Sequence, residues 1–393
     1  MTLPETAAKI SADESASVAE TPGVSAASLG GLDTADPSSP PGDPSLARYN
    51  RQMLFAPIGV QGQKKLRKAR VLLVGCGALG TVLANTLVRA GVGHFTIIDR
   101  DFIELNNLQR QVLFDQRDIT DQLPKAIAAE RKLSKINSEV KIEAIVGDVN
   151  HHNILQYARE KDLLLDGTDN FETRFLLNDA AIELNIPWIY GACLSAMGLA
   201  MVIRPGLTPC LRCIFETSPP PGMNPTCDTA GVLGPTVNLV ASWQALEAIK
   251  LLTGNFAALN RGLFSFDLWD NRFQQLQVAR ARDIADCPAC KHHRLEYLSG
   301  KFGSSTTTLC GRNAIQISPP PGQQVDFEHI ATALQAVGQP GYNRFMLKCV
   351  IAEGHGATQK EYELTLFRDG RAIIKGVSDA AAAKALYAKY VGS

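Results

Sequence analysis

The sequence predicts an α/β protein: a doubly wound, mostly parallel sheet with an antiparallel extension, joined to a small C-terminal α+β domain. Three observations carry that expectation. From Arg70 onward, strand signals alternate with helix signals, and this βαβ order requires a parallel sheet covered on both faces. A glycine-rich turn, Gly75-Cys-Gly-Ala-Leu-Gly80, follows the first strand and opens the first helix in the Rossmann-like manner. After Gly191 the alternation gives way to an antiparallel strand or hairpin.

Arg70–Val74 reads as a buried strand, 79–90 as a helix, 94–98 as a second strand and 124–136 as the next helix. Segments 140–146, 163–165 and 188–190 continue the strands, with helices at 154–159 and Phe171–Leu184 between them. Residues 197–204 read as the antiparallel element, and 218–225 are too rich in proline for regular structure. A long periodic helix over 232–252 stops at Gly254, before strands at Leu263–Asp267 and 273–279. Between Gly311 and Val325 breakers dominate. The pattern then restarts with a helix over 327–336, a strand over 346–351, a hairpin of 362–367 and Ala372–Lys375 turning at Asp369-Gly370, and a closing helix over 379–390. The implied organisation is a tail over 1–44, a main domain over 45–300 and an appendage over 301–393.

With 45% apolar and 20% charged residues in 393, the chain has the composition of a soluble globular protein with a substantial core. Lys and Arg number 39, as do Asp and Glu, so no overall field attracts nucleic acid or an anionic membrane, and a charged ligand must be met locally. Residues 1–44 lack both the basic apolar run of a signal peptide and the arginines of a transit peptide, and they read as a disordered tail. No apolar run reaches the ~20 residues that span a bilayer. Nine cysteines, mostly in Cys-x-x-Cys pairs or buried-looking positions, suit a reducing, cytoplasmic compartment.

Two such pairs, Cys210/Cys213 and Cys287/Cys290, supply the four thiolates of a closed tetrahedral structural zinc site. Cys76, Cys193, Cys310 and Cys349 read as packing residues, and His292 and His293 as solvent-facing, because four thiolates already complete a metal shell. Trp243 and Leu246, at helical spacing, read as core or dimer-contact residues.

Taken alone, the turn with Gly75, Gly77 and Gly80, followed about twenty residues on by Asp99, reads as a dinucleotide site of an NAD-dependent oxidoreductase. The next segments change that balance. Asn107 and Arg110 follow Asp99, Lys125 begins a helix, and Asp169 lies in Gly167-Thr-Asp-Asn170 after a strand. All converge on the carboxyl edge of the sheet, where open α/β folds bind ligands. Two cations, an amide and an acid suit a triphosphate with magnesium better than a dinucleotide.

Together, Arg48-Tyr-Asn-Arg-Gln52, the glycine turn, Asn107-Leu-Gln-Arg-Gln111, Thr168-Asp-Asn170 and the paired Cys-x-x-Cys make the chain resemble the ThiF/MoeB/HesA adenylyltransferases, relatives of ubiquitin-activating enzymes. The resemblance spans about Arg48 to His293. It implies ATP-dependent adenylation of the C-terminal glycine of a small ubiquitin-like sulfur-carrier protein ending in Gly-Gly, with release of pyrophosphate. The thiocarboxylate so prepared would serve thiamine or molybdenum-cofactor synthesis. It also implies a homodimer, and a sulfurtransferase or cysteine desulfurase as a further partner.

Carried over by position, Asp99 holds the ribose, Asn107, Arg110 and Lys125 line the phosphates, and Asp169 holds Mg2+. Arg51 reaches the phosphates of the neighbouring subunit. Ala78 stands where many relatives have glycine. Cys227 reads either as a thiol activated just ahead of the long helix, able to link covalently to the carrier, or as an ordinary loop thiol. The attacking carboxylate, with a pKa near ~3.5, is ionised at neutral pH and requires no general base. Activation of another carboxylate or of a tRNA base remains the alternative within this fold. A noncatalytic zinc scaffold binding a ubiquitin-like partner would leave the phosphate-facing residues unexplained. No sulfur-accepting loop of the rhodanese kind is found in 301–393, which suggests a docking or stabilising role.

Overall fold

The computed structural model describes residues 43–217, 227–302, 306–309, 314–319, 324–353, 360–377 and 379–392. The tail expected over 1–44 lies outside these residues as far as 42, and the proline-rich stretch 218–225 and Cys310 lie wholly outside them. The chain divides into two compact units. One combines the sequence up to Pro219 with Val232–Lys301, the other Pro220–Gly231 with Phe302–Ser393.

The first unit carries strands β1 (Arg70–Val74), β2 (His94–Asp99), β3 (Lys141–Val146), β4 (Leu163–Asp166), β5 (Trp188–Leu194), β6 (Met197–Ile203), β7 (Leu263–Asp267) and β8 (Arg272–Leu276). They form one sheet in the order β3-β2-β1-β4-β5-β6-β7-β8. Neighbours from β3 to β5 are parallel, and those from β5 to β8 antiparallel. This is a mostly parallel sheet with an antiparallel extension.

Helices α1 (Ala78–Ala90), α2 (Lys125–Ile136), α3 (Phe171–Leu184) and α4 (Gly234–Thr253) cover the sheet. Phe175 and Leu177 of α3 join Leu72, Val74, Leu164, Trp188 and Tyr190 in one core. Strand alternation sends the intervening residues to the other face, where Gly191 meets Gln244 of α4 and α1 packs between α2 and α4. The long helix begins at Gly234 rather than at residue 232, because Val232 bridges to Ser195 and Pro235 pre-sets the first turn.

In the second unit, β9 (Thr306–Leu309), β10 (Ala314–Ile317), β11 (Gly341–Tyr342), β12 (Met346–Glu353), β13 (Lys360–Phe367) and β14 (Ala372–Lys375) form an antiparallel sheet in the order β11-β12-β13-β14-β10-β9. Helices α5 (Phe327–Leu334) and α6 (Ala380–Tyr390) are capped by Asp326 and Asp379. Their residues Phe327, Leu334 and Leu386 bury against Ile315, Leu364 and Ile374. The breaker-rich reading of 311–325 thus missed β10, whose Ala-Ile-Gln-Ile run is set between β9 and β14 by long-range pairing.

Close backbone approach fixes the carboxyl edge of the first sheet. Gly75 has φ +88°, and a Cβ on it would come within 2.6 Å of the Gly167 carbonyl oxygen. A Cβ on Gly80 would come within 2.0 Å of the Gly75 carbonyl oxygen, and one on Gly167 within 2.3 Å of that same atom. Gly77 differs, since its nearest neighbour would be Gln111 Nε2 at 3.9 Å. The first three glycines are required by the fold, whereas Gly77 leaves space beside the backbone. We expect Gly80→Ala to lose roughly 3 kcal/mol or more of unfolding free energy in denaturant titration. Gly77→Ala, a cap position, should cost no more than about 1 kcal/mol.

Candidate functional site

The carboxyl edge gathers the residues that the sequence singled out. Asp99 ends β2 nearly buried, and its two oxygens accept from the backbone N–H of Cys76 at 2.6 Å and of Asp101 at 2.7 Å. Its carboxylate therefore ties the glycine turn to the end of β2. Burial raises its pKa above the usual carboxyl range, and Lys125 opposes that rise. Lys125, buried at the start of α2, pairs with Asp101 at 3.1 Å. Asn107 is buried and accepts from Glu104 N–H at 3.1 Å, closing the short turn Leu105–Asn107. Arg110 follows, donating from Nη1 to the Asn106 carbonyl at 2.8 Å.

Asp169 lies beyond β4, exposed, and its side chain makes no hydrogen bond or close ion pair among the described residues. Its loop is held from below. Asp166 and Arg174 form a buried pair, Nε to Oδ2 at 3.0 Å, while Thr168 donates through N and Oγ1 to Asp166 Oδ1 at 2.9 and 2.7 Å. Arg174 Nη2 also donates to the carbonyls of Thr168 and Gly191. Gln244 of α4 donates to the Asp166 carbonyl at 3.0 Å. The sequence reading missed this scaffold. Its one available signal was an arginine in the first turn of a helix, where the dipole favours acidic rather than basic side chains.

Arg100 and Asp148 were also missed. Arg100 Nη1 donates to both oxygens of Asp148, at 3.2 and 3.3 Å, joining the ends of β2 and β3. Burial would lower its pKa, but Asp148, and farther off Asp101, Asp169 and Asp99, hold it above the ordinary guanidinium value. The edge is thus an alternation of fixed positive and negative groups around the glycine turn.

Two expected residues stand elsewhere. Arg51 is exposed on the short helix Asn50–Met53, and its side chain makes no hydrogen bond or ion pair among the described residues. The backbone of Cys227 opens a separate four-residue helix, Cys227–Ala230, ended by Gly231 at φ +74°. It therefore does not head the long helix α4, and the dipole of that helix gives no reason for an activated thiol. A cavity of about 760 Å3 opens at the opposite, amino edge of the sheet, lined in part by Lys65, Lys68, Arg204 and Phe256, and none of the carboxyl-edge residues lines it.

The cysteine pairs do converge. Cys210 Sγ lies 3.8 Å from Cys213 and 3.5 Å from Cys287, Cys213 lies 3.4 Å from Cys290, and all four sulfurs fall within 4.8 Å of one another. Four thiolates about a tetrahedral metal at ~2.3 Å stand ~3.8 Å apart, so this donor set fits such an ion. Adjacent residues of α3 hold both halves of the clasp. Asn178 Oδ1 accepts from Leu211 N–H at 2.8 Å, and Asp179 Oδ2 accepts from Tyr297 and Leu298 N–H at 3.0 and 3.3 Å. His292 and His293 are exposed and pair with Asp286 and Glu183, outside the sulfur set.

Residues 49–289 match the ThiF family. The chain is 43% identical over 346 residues to the sulfur carrier protein ThiS adenylyltransferase of Bacillus subtilis, covering 88% of this chain and 99% of that one. It is 38% identical over 250 residues to the sulfur carrier protein adenylyltransferase of Thermus thermophilus, covering 62% of this chain and 90% of that one. Among solved structures, the microcin C7 biosynthetic enzyme MccB of E. coli in complex with N-formylated MccA is 25% identical, with TM-score 0.54 over 62% of this chain and 74% of that one. The 346 residues shared with the B. subtilis protein outnumber the sequence up to Lys301, so that likeness continues into the second unit.

Asp179 makes the clasp region sensitive to pH. Burial raises its carboxyl to about 6, against the lowering effect of the two N–H donors and Arg212. A raised folded-state pKa favours the protonated form, so the contribution is complete below pH ~4 and is lost as pH rises through ~6. We expect the wild type to lose about 2–3 kcal/mol between those limits relative to Asp179→Asn, read as the difference between their unfolding free energies.

Proposed function

The chain belongs to the ThiF family, and from that premise we propose that it catalyses ATP-dependent adenylation of the C-terminal glycine carboxylate of a small sulfur-carrier protein. The observation that carries this reading is the meeting, at one sheet edge, of an open glycine turn, a ribose-height acid and fixed cations beside the exposed Asp169. The reaction exchanges one bond for another. A carboxylate oxygen forms a bond to the α-phosphorus, the bond from that phosphorus to the bridging oxygen breaks, and pyrophosphate leaves with the electron pair. The acyl-adenylate that remains is ready for sulfur transfer.

The residues have work suited to that exchange. Space beside Gly77 admits a phosphate to the backbone at the head of α1, where the helix dipole favours negative charge. Asp99, already fixed by two N–H donors, faces the ribose hydroxyls. Lys125, anchored by Asp101, with Arg110 and Asn107, neutralises and orients the polyphosphate. Asp169, an exposed carboxylate at the strand end, is the residue that would hold Mg2+, which when bound offsets charge on the phosphates. Because the carboxylate nucleophile is ionised at neutral pH, positioning replaces base catalysis.

The wider assignments rest on the same reading. The four-cysteine clasp would hold Zn2+ as a structural ion, since all four coordination positions are filled by protein sulfur. Arg51, exposed and without a side-chain partner among the described residues, suits a contribution to the neighbouring site of a homodimer. Cys227 is the residue to examine for a covalent link to the carrier. A cysteine desulfurase or sulfurtransferase would supply the sulfur, in a cytoplasmic setting. An NAD-dependent oxidoreductase would need the glycine turn and Asp99 but would give no role to Lys125, Arg110 and Asp169.

ATP/pyrophosphate exchange with a carrier ending in Gly-Gly tests the proposal. Wild type should exchange only when the carrier is present, and Asp169→Ala or Arg110→Ala should lose about 100-fold or more with unchanged unfolding curves. Full exchange in both variants would remove these assignments.

A further inference from the structure

Strand order distributes the parts of a nucleotide across the carboxyl edge. The glycine turn follows β1 and Asp169 follows β4, so phosphates belong over the middle of the sheet, while Asp99 ends β2. The next strand outward is β3, and Asp148 lies just past its end. Whatever lies beyond the ribose, away from the phosphates, must therefore meet the Arg100–Asp148 bridge. We propose that Arg100, clamped by Asp148, is the positioning residue for the purine base, its flat guanidinium forming the surface on which the base stacks. This rests on the adenylation reading above and adds the location of the base and the residue that sets it.

The surroundings of Arg100 favour a base over a phosphate. Its Nη1 is committed to both Asp148 oxygens, and its Nε lies 4.0 Å from Asp101. A phosphate taken up by Nη1 or Nε would have to displace those partners and leave a half-buried carboxylate unpaired. Stacking uses the face of the guanidinium and leaves its in-plane donors where they are. The side chains of Arg100 and Asp148 are 20% and 22% exposed, so the clamp is packed in place yet keeps a surface open to a ligand. Lysine could replace the charge but not the plane.

Equilibrium titration of the full chain with Mg·ATP and with Mg·ribose 5-triphosphate, which has no base, tests this. Arg100→Ala should weaken ATP binding about tenfold and ribose triphosphate binding less than about twofold, the difference being the stacking contribution. Arg100→Lys should behave in the same way. Equal weakening toward both ligands would assign Arg100 to the phosphates and overturn the proposal, as would no weakening toward either. If Arg100→Ala does not fold, Arg100→Lys decides on the same comparison. A wild-type chain that binds neither ligand would overturn the adenylation reading itself, and this assignment with it.

Discussion

The carboxyl edge depends on the contact of three backbone segments that have no room for side chains. Gly75 turns the chain out of β1, Gly80 brings the first turn of α1 onto the Gly75 carbonyl, and Gly167 brings the end of β4 against both. Any Cβ in that contact would meet backbone, which cannot move aside as a flexible side chain can. The outcome is a helix N-terminus aimed along the strand ends, with β1 and β4 close enough for one ligand to touch the loops after both. Gly77, between these points, is the glycine with no backbone pressed against it, its nearest neighbour being Gln111 Nε2 at 3.9 Å, and so leaves room for a phosphate.

Around this backbone the charges are fixed in pairs before any ligand arrives. Asp99 is held by two amides, Lys125 by Asp101, Arg100 by Asp148, and the Asp169 loop by the buried Asp166–Arg174 pair. Buried pairs of this kind are weak sources of net stability, because desolvation offsets most of the attraction. Their value under the proposed adenylation lies in orientation, because groups held in place beforehand need no rearrangement during the reaction. Away from this edge, Asn178 and Asp179 of α3 hold the backbone at Leu211, inside the first cysteine pair, and at Tyr297, downstream of the second.

Much of this was legible in the sequence, for local reasons. Strands β1 to β4, the glycine turn and the cysteine spacing are short-range signals, and each appears where its pattern indicated. The misses are long-range. β5 runs to Leu194 rather than ending at residue 190 because β6 pairs along its whole length, a partnership that the Gly-Ala-Cys-Leu text does not announce. β10 hides among glycines and prolines and exists because β14 pairs with it. Arg100, Asp148, Asp166 and Arg174 carry no motif, since their roles come from which strand ends are neighbours. Cys227 shows the opposite limit of local reading: it is close in sequence to the long helix, yet Gly231 separates its own short helix from that one.

The central claim is that a nucleoside triphosphate occupies the edge built on these glycines. A crystal structure of the chain with Mg2+ and a non-hydrolysable ATP analogue tests it most directly. Phosphates are expected between Gly77 and Lys125, with the ribose on Asp99. An analogue seated instead at the amino edge, between Lys65 and Arg204, would contradict it.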